Sequence, residues 1–213
     1  MIYLVAVYLM ILFLVTVLQR YKNNKSVVGV KKSNDSVCKV HYEYSEEVNR
    51  LLYIRALRWA AVKGDLEEVN RLLEMPAIKE QATVNKNDAL RSAADKGCLD
   101  VVRRLLEVDA VKDQAMALGN DALARAVSNG HVNIVYLLLE VPAVVNYIAN
   151  NGMSAWLLVE DAVEKGRFKI ANRLLEVPGV VEQAKDFGHK VLVLAAGRGD
   201  LEIVNRLLEV PEI

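Results

Sequence analysis

The stretch Ala122–Pro142, ALARAVSNGHVNIVYLLLEVP, decides how the chain is read. Leu123, Ala126 and Val127 fall at i, i+3 and i+4, and Val132, Val135, Leu138 and Leu139 repeat that kind of spacing beyond Gly130. Apolar side chains at this period line one face of a helix. The stretch therefore predicts two short helices with a turn at Asn129-Gly130. Glycine fits the turn because it reaches φ > 0 without a steric penalty. Pro142 closes the unit, since proline inside a helix loses a hydrogen bond and clashes. Helices of about ten residues are too short to be stable alone, so the hairpin needs a neighbour.

Four related stretches supply one: ALRWAAVKGDLEEVNRLLEMP from Ala56, ALRSAADKGCLDVVRRLLEVD from Ala89, LVEDAVEKGRFKIANRLLEVP from Leu158 and VLVLAAGRGDLEIVNRLLEVP from Val191. The turn glycines are Gly64, Gly97, Gly130, Gly166 and Gly199, spaced by 33, 33, 36 and 33 residues. A 33-residue period with a helix-turn-helix in each copy resembles the ankyrin repeat. The columns that carry the resemblance are L-x-x-A-[AV]-x-x-G in the first helix and V-x-x-L-L in the second. It covers roughly residues 56–213 and implies a stack of helical hairpins that binds protein partners.

The chain departs from the family in two places. Asp88-Ala89-Leu90-Arg91 and Asp121-Ala122-Leu123-Ala124 replace the Thr-Pro-Leu-His opening, so the threonine and histidine that usually tie neighbouring repeats are missing. Glu-[Val/Met]-Pro-Ala-[Val/Ile] replaces the Gly-Ala-Asp turn. The shared Lys-[Glu/Asp]-Gln-Ala that follows reads as a weak helical turn, not a β-hairpin. Such divergent units resemble those of proteins from intracellular bacteria, some of which act inside host cells.

The expected architecture is all-α: an ankyrin-type helix-turn-helix repeat solenoid with an N-terminal transmembrane helix. The boundaries are a transmembrane helix at 1–19, a basic linker at 20–44, a capping half-repeat at 45–55, and repeats at 56–88, 89–121, 122–154, 155–190 and 191–213. The half-repeat is inferred because Glu46–Leu52 recurs letter for letter as Glu67–Leu73. Met1–Leu18 carries no charged side chain. Eighteen residues at 1.5 Å rise reach about 27 Å, near the thickness of a hydrocarbon core. A cleaved signal would want a basic start and a small-x-small site, and neither is visible, so the stretch reads as a retained anchor. Arg20, Lys22, Lys25, Lys31 and Lys32 follow it. By the positive-inside tendency, the repeats face the cytoplasm of a single-pass membrane protein.

Lys+Arg and Asp+Glu both number 27, and aromatics make up 6%. That balance argues against nucleic acid as a partner, which wants excess positive charge and stacking rings. Cys38 and Cys98 do not make a disulfide framework. No hydrolase, phosphate-binding, dinucleotide or zinc-protease motif is present. No catalytic residue, cofactor or metal ligand is therefore assigned. His131 and Cys98 occupy one column of adjacent repeats, and stacked helices about 8–10 Å apart cannot bring them to one metal ion. The chain is expected not to be an enzyme.

The candidate partner-binding residues lie on the first helices. The residues before the turn glycines, Lys63, Lys96, Asn129, Lys165 and Arg198, read either as cations on helix C-termini or as a basic stripe for an acidic partner. Arg58, Arg91 and Arg125 are expected beside them on the concave side, with Trp59 as an anchor. Trp156, in the unit with three extra residues, reads either as packed on the previous repeat or as a protruding contact. Glu74, Glu107, Glu140, Glu176 and Glu209 are expected to form a solvated face. The fifth hairpin has no polar cap after it, so self-association through that end is a further expectation. The function expected is a membrane-anchored scaffold or adaptor. The alternative is an exported, effector-like protein that binds a host protein.

Overall fold

The structure is a computed structural model, which describes residues 52–80, 82–177, 179–181 and 184–210. The chain divides into two units, Met1–Ser45 and Glu46–Ile213, and every described residue belongs to the second. The expected membrane span, linker and most of the capping half-repeat, together with Cys38, lie outside the described residues.

The described residues form helices α1 (52–63), α2 (Leu66–Leu73), α3 (Pro76–Lys79), α4 (Val84–Lys96), α5 (Leu99–Leu106), α6 (Asp109–Asp113), α7 (Ala117–Asn129), α8 (Val132–Leu138), α9 (Pro142–Asn150), α10 (Gly152–Glu164), α11 (Phe168–Leu175), α12 (Ala184–Arg198) and α13 (Leu201–Leu208). Among them there is no strand. Each unit is a first helix, a glycine turn and a second helix. In the first three units a short third helix follows; the Lys-[Glu/Asp]-Gln-Ala pattern implied it in the first two, and the third unit lacks that pattern. Proline opens two of those third helices, Pro76 in α3 and Pro142 in α9. The first helix position has no intrahelical use for an N–H, so proline fits there.

First helices α4, α7, α10 and α12 pack one on the next, and so do second helices α2, α5, α8, α11 and α13. The core is the set of columns the sequence repeats. Ala60, Ala93, Ala126, Ala162 and Ala195, four residues before each turn glycine, are all fully buried. So are Leu72, Leu105, Leu138, Leu174 and Leu207, eight residues after it. Alanine in the first column lets the helices of a hairpin approach closely, and leucine in the second fills the space they enclose.

A third column closes the units. Asn87, Asn120 and Trp156 stand ten residues before their turn glycines, and each is buried. Asn87 Nδ2 donates to the carbonyls of Val111 (3.0 Å) and Gln114 (2.8 Å). Asn120 Nδ2 donates to the Val144 carbonyl at 3.5 Å, and Trp156 Nε1 to the Val180 carbonyl at 3.1 Å. Each bond links the start of a first helix to the segment after the second helix of the same unit. Both asparagines have a left-handed backbone, φ 60° at Asn87 and 64° at Asn120, a conformation asparagine tolerates better than most residues.

Trp156 is therefore not a protruding contact, and it is 3% exposed. Its indole N–H does the work of the asparagine amide, and its ring fills the space around it. The three extra residues lie before it. Pro142 precedes Trp156 by 14 residues, whereas Pro76 precedes Asn87, and Asp109 precedes Asn120, by 11. α9 absorbs them, with nine residues against four in α3 and five in α6.

Among the described residues, no single helix is long and apolar enough to cross a membrane. α8 and α9 together have the length and composition but bend by 89°. Their apolar residues, including Ile134, Leu138, Val144 and Ile148, are already buried in the repeat core.

Candidate protein-interaction face

The first helices present one residue nine positions and another six positions before each turn glycine. Residues three apart on a helix share a face, and stacking sets the earlier position of one unit beside the later position of the unit before it. Arg58 Nε lies 3.0 Å from Asp88 Oδ2, and Arg91 Nη1 lies 2.8 Å from Asp121 Oδ2. Lys190 pairs with Glu160 with the charges reversed. At the remaining junction the same two positions are Ala124 and Leu157. Three charged rungs thus flank one apolar rung. Asp88 and Arg91 stand where the family places threonine and histidine, so ion pairs replace the missing hydrogen-bonded ties.

The rungs continue into a network. Arg91 also reaches Asp88 at 3.2 Å, and Arg125 holds Asp121 at 2.8 Å and Asp95 at 3.6 Å. Lys96 pairs with Asp95 at 3.0 Å, and Asn129 Nδ2 donates to both the Asp95 carbonyl and its carboxylate, each at 3.2 Å. Lys165 pairs with Asp161 and donates to Ser128 Oγ, both at 2.6 Å. Lys63 Nζ sits 5.6 Å from the centroid of the exposed Trp59 ring. Arg198 is exposed. Arg58, Arg91, Lys96, Arg125 and Lys165 are thus matched by aspartates, and charge is balanced along that part of the expected stripe. Stacking register brings Asp88 to Arg58, Asp121 to Arg91 and Asp95 to Arg125 across units, while Lys96, Arg125 and Lys165 also pair with Asp95, Asp121 and Asp161 on their own helices. The five glutamates at the ends of the second helices are exposed, as expected of a solvated face.

The position after the turn glycine divides by place in the array. Asp65 and Asp200 cap α2 and α13, accepting from Glu68 N and Ile203 N at 3.0 Å. In the middle units the residue reaches back instead. His131 Nε2 donates to the Asp95 carbonyl at 3.1 Å, and Arg167 Nη1 to the Val127 carbonyl at 2.8 Å. His131 and Arg167 are thus structural ties. Cys98 is free, and burial pushes its thiol up against the opposing pull of Lys96, which keeps it in the unreactive protonated form.

The ladder has an acid limit. The hydrogen bond from Lys96 holds the Asp95 carboxyl below the ordinary range against the opposing effect of burial, helped by Asn129 and Arg125. Burial pushes Asp121 up, but the bonds from Arg125 and Arg91 together outweigh it and leave it lowered. Both folded values lie below the unfolded value of about 3.9. The unfolded chain therefore binds more protons there. The stabilisation is fully present above about pH 4 and is lost as pH falls through the folded values. The thermal midpoint is expected to fall as pH drops below about 4, and less steeply in Asp121→Asn. An identical slope in that variant, followed by circular dichroism, contradicts the assignment.

Residues 57–150 match the family model for ankyrin repeats (3 copies). These are ankyrin repeats. No curated protein matches the chain. The fourth and fifth units repeat the geometry of the ankyrin units before them, with Gly166 and Gly199 at positive φ in the same turn. Ankyrin repeats mediate protein–protein interaction, so the exposed parts of the first-helix face matter most. Apart from the ladder they include Trp59 in the first unit, Met153 and Leu157 one turn apart in the fourth, with Leu157 58% exposed, and Val193 in the fifth. Reading the sequence missed Met153 and Leu157. The signal was present: Leu157 occupies the column that holds Asp88 and Asp121 in the two preceding units.

Proposed function

We propose that the chain is a membrane-anchored ankyrin-repeat adaptor that binds a protein partner across its first helices. The supporting observation is the apolar rung, where exposed Leu157 and Met153 interrupt a ladder of satisfied charges. A partner that covers Leu157 gains apolar burial without breaking an ion pair, and the flanking charged rungs set its register. Interfaces draw most of their energy from a few such buried anchors. The array contributes rigidity, since each unit packs only on its neighbours and the face is held before a partner arrives. The apolar Met1–Leu18 followed by Arg20, Lys22, Lys25, Lys31 and Lys32 supports an anchor with the repeats on the cytoplasmic side. No catalytic or cofactor role enters this reading.

Protease protection of the full chain in intact membrane vesicles tests it, with a C-terminal tag and an intact-mass reading. The tag is expected to stay with the membrane and be cleaved from the cytoplasmic side, with Met1–Leu18 still in the mass. Repeats recovered soluble outside the cell without that stretch sink the anchor and make the exported, effector-like reading the better one. For a partner captured at that face, Met153→Glu with Leu157→Glu is expected to weaken binding by at least about tenfold, a loss of roughly 1.4 kcal/mol. Undiminished binding by a folded variant removes the apolar rung from the interface.

A further inference from the structure

Seven residues after the turn glycine the second helices carry Arg71, Arg104, Leu137, Arg173 and Arg206. From the second unit on, each arginine in this column reaches the unit before it. Arg104 Nε donates to Asn70 Oδ1 at 2.7 Å. The Arg173 guanidinium lies 5.5 Å from the centroid of the Tyr136 ring. Arg206 Nη2 donates to the Leu175 carbonyl at 3.2 Å. Arg104 and Arg173 also hold the glutamate three residues on, Glu107 at 3.1 Å and Glu176 at 2.7 Å. Leu137 has no group for either contact, so the junction between the second and third units lacks this tie.

A cleft of about 220 Å³ opens at that junction. Leu106, Leu137 and Val141 form its apolar lining. Leu106 and Val141 are buried, and Leu137 is half-buried. The charged groups around them are Arg103 and Lys112, Glu107 and Glu140. Glu107 is already held by Arg104. Arg103, Lys112 and Glu140 are exposed and have no partner among the described residues. Arg103 stands in the column where Asn70 gives Arg104 its acceptor. At this junction a cation takes the acceptor's place, and the leucine beyond it offers nothing in return.

We propose that the cleft binds one acidic residue of a protein partner, a glutamate whose carboxylate is shared by Arg103 and Lys112 and whose methylenes lie on Leu106, Leu137 and Val141. Size limits the ligand. A cavity of about 150 Å³ holds a benzene molecule, so this cleft takes a single side chain. Charge limits it further. Arg103 and Lys112 against Glu140 leave a surplus of one positive charge. A single carboxylate cancels that surplus, and a phosphate group, with close to two negative charges, overshoots it. The guanidinium fork also matches the planar carboxylate. The partner's glutamate thus supplies the acceptor that a repeat supplies at the first junction. The cleft lies on the second helices, and the proposal does not depend on the reading of the first-helix face.

The test is methyl NMR of the full chain in detergent micelles, titrated with N-acetylglutamic acid α-methylamide and with its glutamine counterpart. The glutamate compound is expected to shift the Leu106, Leu137 and Val141 methyls with a dissociation constant in the millimolar range, the scale for a ligand of its size. The glutamine compound has the same shape without the charge and is expected to bind at least about tenfold more weakly. Arg103→Asn with Leu137→Arg rebuilds this junction as Asn70 and Arg104 build the first. That variant is expected to keep its circular dichroism spectrum and to lose the shifts of Leu106 and Val141. Arg103→Gln, at an exposed position, is a second variant and is expected to weaken binding at least about fivefold. No shift of the three methyls in the parent chain overturns the proposal. So does equal binding of the two compounds, which would leave apolar contact alone, or binding undiminished in the folded variants. Tighter binding of inorganic phosphate than of the glutamate compound also overturns it and would make the cleft a phosphate site.

Discussion

Trp156→Ala is expected to destabilise the array by about 3–5 kcal/mol, the largest effect of any single substitution considered. Two losses add. The ring is buried, so its removal leaves a cavity in a fully packed unit. The indole N–H also leaves the Val180 carbonyl without its donor. Trp156→Phe separates them. It keeps most of the apolar volume and loses the bond, with an expected cost of about 1–3 kcal/mol. Because stability in a repeat array is a sum of unit and junction terms, the damage is expected to concentrate in the fourth and fifth units. Hydrogen exchange should show lost protection from α10 onward while α4 to α7 keep theirs. Tryptophan fluorescence reports the same site once the exposed Trp59 is changed to Phe. A Trp156→Ala melt within about 1 kcal/mol of the parent would show that the ring is not part of the core.

Gly97→Ala is expected to cost about 2–3 kcal/mol, and Gly199→Ala about 1–2 kcal/mol. Both glycines have a left-handed backbone, φ 76° and 75°, so an added Cβ strains both. They differ in what the Cβ meets. At Gly97 it would lie 2.6 Å from His131 Cε1, while at Gly199 nothing lies within 4 Å. The imidazole of the next unit rests on the glycine to reach the Asp95 carbonyl, and a methyl group pushes it off. Adding His131→Ala to Gly97→Ala removes the collision and should leave the double variant less destabilised than the two single costs summed. Such a shortfall is the coupling that a double-mutant cycle measures. Additive costs in denaturant melts would show that the two residues do not press on each other.

The repeats were legible because their information is local. The 33-residue spacing of the turn glycines, the helical period of Leu123, Ala126 and Val127, and the Leu-Leu pair of each second helix follow from chain geometry. The third-helix turn was legible in the first two units, from the shared Lys-[Glu/Asp]-Gln-Ala, but not in the third, where Pro142 read as the end of the unit and in fact opens α9. The candidate face was only partly legible. Lys63, Lys96, Lys165, Arg58, Arg91 and Arg125 were recognised as neighbours, but the carboxylates between them were not. Arg91 meets Asp121, 30 residues away in sequence, and no property of either residue alone says that a position six before one glycine faces a position nine before the next. Asn87 and Asn120 were not legible as closing residues, because burial and a bond to a carbonyl 24 residues on exist only once the unit has closed.

The sequence by itself determined the repeat, its all-helical character and its unit length, since glycine at φ > 0, proline at a first helical position and apolar periodicity are set residue by residue. Only the tertiary structure decided where charge cancels and where apolar surface remains. Stacking register pairs Arg58 with Asp88 and Arg91 with Asp121, leaves Leu157 uncovered at the one junction without a charge, and turns Trp156 inward to the Val180 carbonyl. Each of these depends on which neighbour a side chain meets, and that is fixed by packing between units.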